Sequence, residues 1–180
     1  MQAIVLLLDT QHAARVEALW HRLEEQFGLR GAFAGAPPHC TLHAAERYDP
    51  DVEEALRGLL ADWRPLTLRV EGLGVFPSMR PIVHLAIARG PVLAEMQRQL
   101  HDLVDRFAAG VDPHLAPDRW MPHITLARDP LAPERLGQVV AALADGPYQW
   151  RIATNRLAIL ELGDPPRTRF QHSFSGWGGE

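Results

Sequence analysis

Two stretches of this 180-residue chain, "PHCTL" at 38–42 and "PHITL" at 122–126, set a histidine two positions before a threonine. The pairs are His39 with Thr41 and His123 with Thr125, and positions 39 and 123 lie 84 apart. Nine histidines and six threonines in 180 positions predict about 0.3 such triplets by chance. Two copies, each with Pro before and Leu after, therefore need a cause. In a strand, residues i and i+2 share a face, so each His and its Thr point the same way. Imidazole titrates near neutrality, so one ring can accept a proton while the other donates one. A nearby threonine hydroxyl can donate a hydrogen bond to a phosphate oxygen and stabilise charge that builds there. The chemistry suggested is acid–base catalysis on a phosphodiester. No metal is expected at these pairs: zinc takes three protein ligands in a catalytic site, and no Asp/Glu or Cys cluster accompanies them.

Cys40 stands between His39 and Thr41, at the position Ile124 holds in the second copy. Period-two alternation turns it away from His39, which marks it as an apolar packing residue. The rival reading, a Cys–His nucleophile, needs the thiol on the histidine's side.

Composition excludes several other chemistries. All eighteen basic residues are Arg, which removes a Schiff-base lysine, a P-loop lysine and an adenylated lysine. The net charge of -4 argues against a sequence-blind nucleic-acid coat, while leaving room for a nucleotide or an RNA end in a local pocket. With 47% apolar and 22% charged residues, the chain can bury one sizeable core. The lone cysteine makes no internal disulfide. The start "MQAIVLLLDT" lacks a basic n-region and a long apolar segment, so neither a signal peptide nor a membrane span is expected, and the setting expected is cytoplasmic.

The elements that must position the pairs also come twice. "AIVLLL" (3–8) suits a buried strand, and the apolar spacing of Val16, Leu19, Trp20, Leu23 and Phe27 predicts a helix ended by Gly28. A Gly/Ala/Pro loop at 31–38 leads to the first motif, a helix is expected at 51–62 after Asp49-Pro50, and "LTLRVEGLGVF" reads as a strand. The series restarts with a strand at 82–88, a helix whose face carries Leu93, Met96, Leu100, Leu103 and Phe107, and a Pro-rich loop before the second motif. Asp129-Pro130 then opens a helix to about 144, with strands near 148–162 and 168–174. The expectation is a single α+β domain, 1–180. It is built from two similar lobes, with motif-bearing halves of about 1–80 and 81–180, around a pseudo-two-fold axis.

"PHCTLH" and "PHITLAR", spaced this way in a duplicated chain, resemble the 2H phosphoesterase superfamily, and most closely its 2′-5′ RNA ligase / RNA 2′,3′-cyclic phosphodiesterase branch. The resemblance implies a bilobal fold of antiparallel sheets lining a central groove with helices outside, and a metal-independent opening of 2′,3′-cyclic phosphates to 2′-phosphates. It also implies reversible 2′-5′ joining of RNA ends in some members, and no cofactor. By position, His39 would be the proton donor and His123 the proton acceptor, with Thr41 and Thr125 holding the phosphate. Arg128 reads as a phosphate or ribose contact, or as a solvated strand end. Phe76 reads as a base-stacking residue or a core phenylalanine, and His84 as a cleft-lining residue or a structural histidine. His43 shares the face of His39 and Thr41 if the strand runs on regularly, at the groove mouth. His12, His21, His101, His114 and His172 look like surface or helix histidines. The partners implied are RNA ends or small cyclic nucleotides as substrate; no membrane or protein partner is indicated, and a monomer is expected. Alternatives are a binding module for AMP-like nucleotides, or a phosphodiesterase for 2′-5′ oligonucleotides or a cyclic phosphate of ADP-ribose. The first motif continues as "HAAERYD", where ligase-like proteins more often have an aromatic–Leu–Gly turn, so branch and substrate stay open.

Overall fold

The computed structural model describes residues 1–30, 35–128 and 130–175. Residues 31–34 (in the loop expected before the first motif), Asp129 (where a helix is expected to open) and the last five residues lie outside them. The first strand, β1 (Gln2–Leu7), is buried along nearly its whole length, as its unbroken apolar run requires. Asp9 then caps helix α1 (Thr10–Phe27), its carboxylate accepting from the His12 backbone N–H at 2.8 Å. Gly28 ends the helix with a φ of 65°, a left-handed conformation that suits glycine.

The remaining elements follow as β2 (His39–Tyr48), α2 (Val52–Ala61), β3 (Leu66–Phe76), β4 (Ile82–Ile87), α3 (Pro91–Val104), β5 (Ala108–Val111), β6 (His123–Ala127), α4 (Leu136–Leu143), β7 (Arg151–Thr154), β8 (Arg156–Glu161) and β9 (Arg167–Ser173). They form two antiparallel sheets, ordered β5-β2-β1-β8-β9 and β6-β4-β3-β7. Each sheet holds one motif strand, β2 or β6, beside an apolar strand, β1 or β4. Among the described residues this is an α+β fold of two related sheets with four α-helices.

The sheets do not divide the chain near residue 80. β3 pairs with β4 and β7, whereas β8 and β9 complete the sheet of β1. The third strand of each sheet is thus supplied by the other half. Helices cross over as well: α1 packs on β6 and α3 on β2. Each motif strand is therefore braced by the half that does not carry it.

Two local expectations change. The run near 148–162 is cut at Asn155 into β7 and β8, which enter different sheets. Residues 108–111, with no alternation to announce a strand, become β5 because the far end of β2 at Ala45, Arg47 and Tyr48 offers an open ladder. Among the described residues no helix is long and apolar enough to cross a membrane.

The core is continuous across both sheets. One polar group inside it does a specific job. Gln97 of α3, fully buried, donates to the Leu42 carbonyl of β2 at 3.2 Å and to the Leu115 carbonyl at 2.8 Å. Replacing it with leucine keeps the bulk and strands two buried acceptors. Gln97→Leu is therefore expected to cost about 1–3 kcal/mol in urea unfolding, with an unchanged slope against denaturant.

Candidate functional site

The two copies of the repeated word fold alike in detail. Along β2 the residues 39–43 are half-buried, buried, half-buried, buried and buried, and residues 123–127 of β6 repeat this order. The reason is a bulge in each strand. Beside β1, Val5 faces Thr41 and Ile4 faces His43, so Leu42 is the extra residue. Beside β4, His84 faces Thr125 and Val83 faces Ala127, so Leu126 is extra. An extra residue breaks the alternation and twists the strand locally. His39 and Thr41 keep one face, His123 and Thr125 keep the equivalent one, and the residue after each Leu turns inward.

That bulge overturns the expected place of His43. It is fully buried and its ring packs against His101 of α3, with centroids 5.2 Å apart. With the alternation reset at Leu42, it cannot line the mouth of the groove as a regular strand would have it do.

His39 and His123 are held in the same way. The Nδ1–H of His39 donates to the Pro37 carbonyl at 2.8 Å, and that of His123 to the Met121 carbonyl at 2.8 Å. In each neutral ring the lone pair therefore sits on Nε2, the nitrogen suited to proton exchange. Burial is the main influence lowering the pKa of both rings below the ordinary histidine value, opposed in each by the carbonyl bond. His123 lowers His39 further, which places the rings near enough for one charge to oppose a second. The arrangement disfavours two protonated rings together, the condition an acid–base pair needs.

Thr41 and Thr125 are positioned by tryptophans that motif spacing does not reveal. The Trp120 indole N–H donates to the Thr41 carbonyl at 2.9 Å, and that of Trp20 on α1 donates to the Thr125 carbonyl at 3.1 Å. β5 does not reach Thr41, and β6 is an edge strand, so these indoles satisfy carbonyls the ladders leave over. Trp20 announced itself only as part of an apolar helix face.

On the second sheet, Gly74 of β3, His84 of β4 and Thr125 of β6 lie in one cross-strand row. The Phe76 ring stacks on His84 at 4.1 Å and meets His123 edge-on at 4.9 Å, while His84 and His123 are 5.1 Å apart. His84 is buried, its pKa pushed down to about 4 by burial and then by His123, so it is a neutral wall. Phe76 is half-buried. Both residues pack, and they pack against the second motif histidine. Arg128 is half-buried and follows directly on β6.

Cys40 is fully buried, with the His123 backbone N–H directed at its sulfur, and burial pushes the thiol up to about 12. A thiol held protonated there is inert. Among the described residues the only grouping of three potential metal ligands is His43, His101 and Asp105, which includes neither motif pair.

Gly74 is the floor beneath this wall, since a Cβ there would overlap the His84 ring. Gly74→Ala is expected to cost about 1–3 kcal/mol by overpacking. It should also lower turnover through the displaced Phe76–His84–His123 cluster, read as a fall in kcat larger than any rise in KM.

With this geometry in hand, likeness to known proteins is informative. No protein with a curated description matches the sequence. Among solved structures, a Thermus thermophilus protein superposes with a TM-score of 0.65 at 18% identity, covering 97% of this chain and 98% of that one. E. coli LigT complexed with 3′-AMP gives 0.64 at 19% identity, covering 96% and 97%, and its apo form gives 0.63 at 19%, covering 97% and 96%. At such identities the likeness is one of fold. The model of the 2′-5′ RNA ligase superfamily, however, matches residues 8–165. That match spans most of the chain and both motif strands, and the chain belongs to this superfamily, that of the 2H phosphoesterases.

Proposed function

We propose that this chain is a metal-independent phosphodiesterase that opens 2′,3′-cyclic phosphate ends of RNA or nucleotides to 2′-phosphates by two-histidine acid–base catalysis. The observation that carries the reading is the matched tethering of His39 and His123, each through Nδ1–H to the carbonyl two residues upstream at 2.8 Å. Family membership supports the coarser statement, an enzyme of phosphodiesterase type.

The cyclic phosphate lies between the two rings, with the Thr41 and Thr125 hydroxyls donating to its non-bridging oxygens. Neutral His123 takes a proton from water at Nε2 as the oxygen attacks phosphorus. The bond from phosphorus to the 3′-oxygen breaks, and His39, protonated at Nε2, gives that oxygen its proton. A 2′-phosphate and a free 3′-hydroxyl result. The reverse course, with a hydroxyl in place of water, would form a 2′-5′ bond, as microscopic reversibility requires. Phe76 offers its exposed face to the base, and Arg128 stands at the strand end as a phosphate or ribose contact. The E. coli LigT complexes with 3′-AMP and with ATP favour a nucleotide-sized occupant for a groove of this fold.

The test is hydrolysis of 2′,3′-cyclic nucleotides in EDTA, with 2′-5′ oligonucleotides and ADP-ribose cyclic phosphate as further substrates. Wild type is expected to turn over, and His39→Ala or His123→Ala each to lose about 10²–10⁴-fold in kcat. Full activity in both variants, or its abolition by the chelator, would refute the mechanism. Tight nucleotide binding without turnover of any of these substrates would favour the binding module instead.

A pH profile probes the same pair. Both pKa values are depressed in the free protein, so the acid limb and the base limb of kcat/KM both move down. Its optimum is expected below about 6.5, the ordinary histidine value. A bound anionic phosphate favours the protonated rings, so the kcat profile should lie at higher pH than that of kcat/KM. A kcat/KM optimum on the alkaline side of neutrality is the contrary result.

A further inference from the structure

His43, which the bulge removes from the groove, sits in an arrangement of its own. Its side chain is fully buried, its Nδ1 lies 2.6 Å from the Tyr48 hydroxyl, and its Nε2 has no hydrogen-bond partner. Buried polar atoms are rarely left this way, and each such case asks for an explanation. The His101 ring meets that of His43 nearly perpendicular, at 5.2 Å. Asp105 follows His101 by four residues where α3 ends, which sets both on one side of the helix. One ligand atom from each of His43, His101 and Asp105 can be chosen so that all lie within 4.8 Å of one another.

We propose that His43, His101 and Asp105 form a binding site for a divalent transition-metal ion, of which zinc fits best, outside the groove between the motif strands. Two imidazoles and one carboxylate are a donor set for zinc, whereas magnesium and calcium take all-oxygen sites. Ligand atoms tetrahedrally placed at about 2.1 Å from an ion are roughly 3.4 Å apart, so no pair in the cluster need close by more than about 1.4 Å. His101 is only half-buried and Asp105 is exposed, so their side chains can close while His43 stays fixed. The Tyr48 hydroxyl holds the His43 ring through Nδ1, and the ion would select the tautomer with Nδ1–H donating to the tyrosine oxygen, which frees the Nε2 lone pair to ligate. Neighbouring carboxylates are otherwise engaged, Asp102 with Arg98 at 2.6 Å and Asp112 with the His114 backbone N–H at 2.9 Å. Water completes the coordination on the exposed side. The ion would clamp β2, four residues beyond His39, to the end of α3.

The experiment uses untagged protein stripped with EDTA, dialysed and titrated with ZnCl2 by calorimetry, with melting scans in parallel. One zinc per chain is expected, with the melting temperature rising by about 5 °C or more at a hundredfold excess over Kd. His101→Ala and Asp105→Ala, at positions that tolerate truncation, should each weaken binding by at least about tenfold and abolish the shift, and Tyr48→Phe should weaken it by about tenfold. His114→Ala, at an exposed histidine outside the cluster, should bind as wild type does. Zinc binding unchanged in both His101→Ala and Asp105→Ala, no binding by wild type, or an equal response to MgCl2 would overturn the proposal. Neither readout uses substrate, so the result stands apart from that of the phosphodiesterase assay.

Discussion

One extra residue in each of two strands governs how this molecule presents its chemistry. Leu42 and Leu126 are bulges against β1 and β4, and each follows a His-x-Thr pair directly. Up to the bulge, alternation holds a histidine and a threonine on one half-buried face. Past it, the chain turns inward to the core, where His43 and Ala127 are both fully buried. A regular strand would have carried a third side chain out on the same face. The bulge thus limits each motif to two presented groups and re-aims the strand that bears them.

Each of the motif histidines is tethered by a backbone carbonyl. Pro37 and Met121 accept from the Nδ1–H of His39 and His123, which sets the tautomer and the ring orientation in one interaction. The carbonyls of Thr41 and Thr125 are in turn satisfied by Trp120 and Trp20. Exchange of elements between the halves makes this support mutual. α1 lies on the second motif strand, α3 on the first, and β3 and β8 each complete the other half's sheet. Neither motif strand could be positioned without residues from the other half.

The two motif strands have unlike neighbours. On the second sheet His123 has aromatic company, with Phe76 edge-on and neutral His84 beside it. On the first sheet the corresponding position beside Thr41 is Val5, an apolar residue in a ladder with β8. Repetition of the word therefore does not make its two histidines equivalent. The asymmetry comes from the flanking strands.

The matched placement of the two His-x-Thr pairs was legible in the sequence because Pro-His-x-Thr-Leu is short, repeated and tied to period-two geometry. So was the inert place of Cys40, read by aligning it with Ile124, and so were the apolar strands and amphipathic helices. Other features could not be read there. A bulge depends on how a strand registers against its neighbour, and His43 carries no local mark that Leu42 will be the extra residue. β5 exists because the end of β2 offers unpaired backbone groups, not because "AAGV" favours a strand. Trp20 and Trp120 matter through bonds spanning 105 and 79 residues, which local spacing does not encode. Sequence by itself determined that two matched His-x-Thr pairs exist and that each pair shares a strand face. Tertiary structure alone decided where His43 points, which half supports which strand, and what surrounds each ring, because strand register, edge pairing and burial arise only when distant segments share one core.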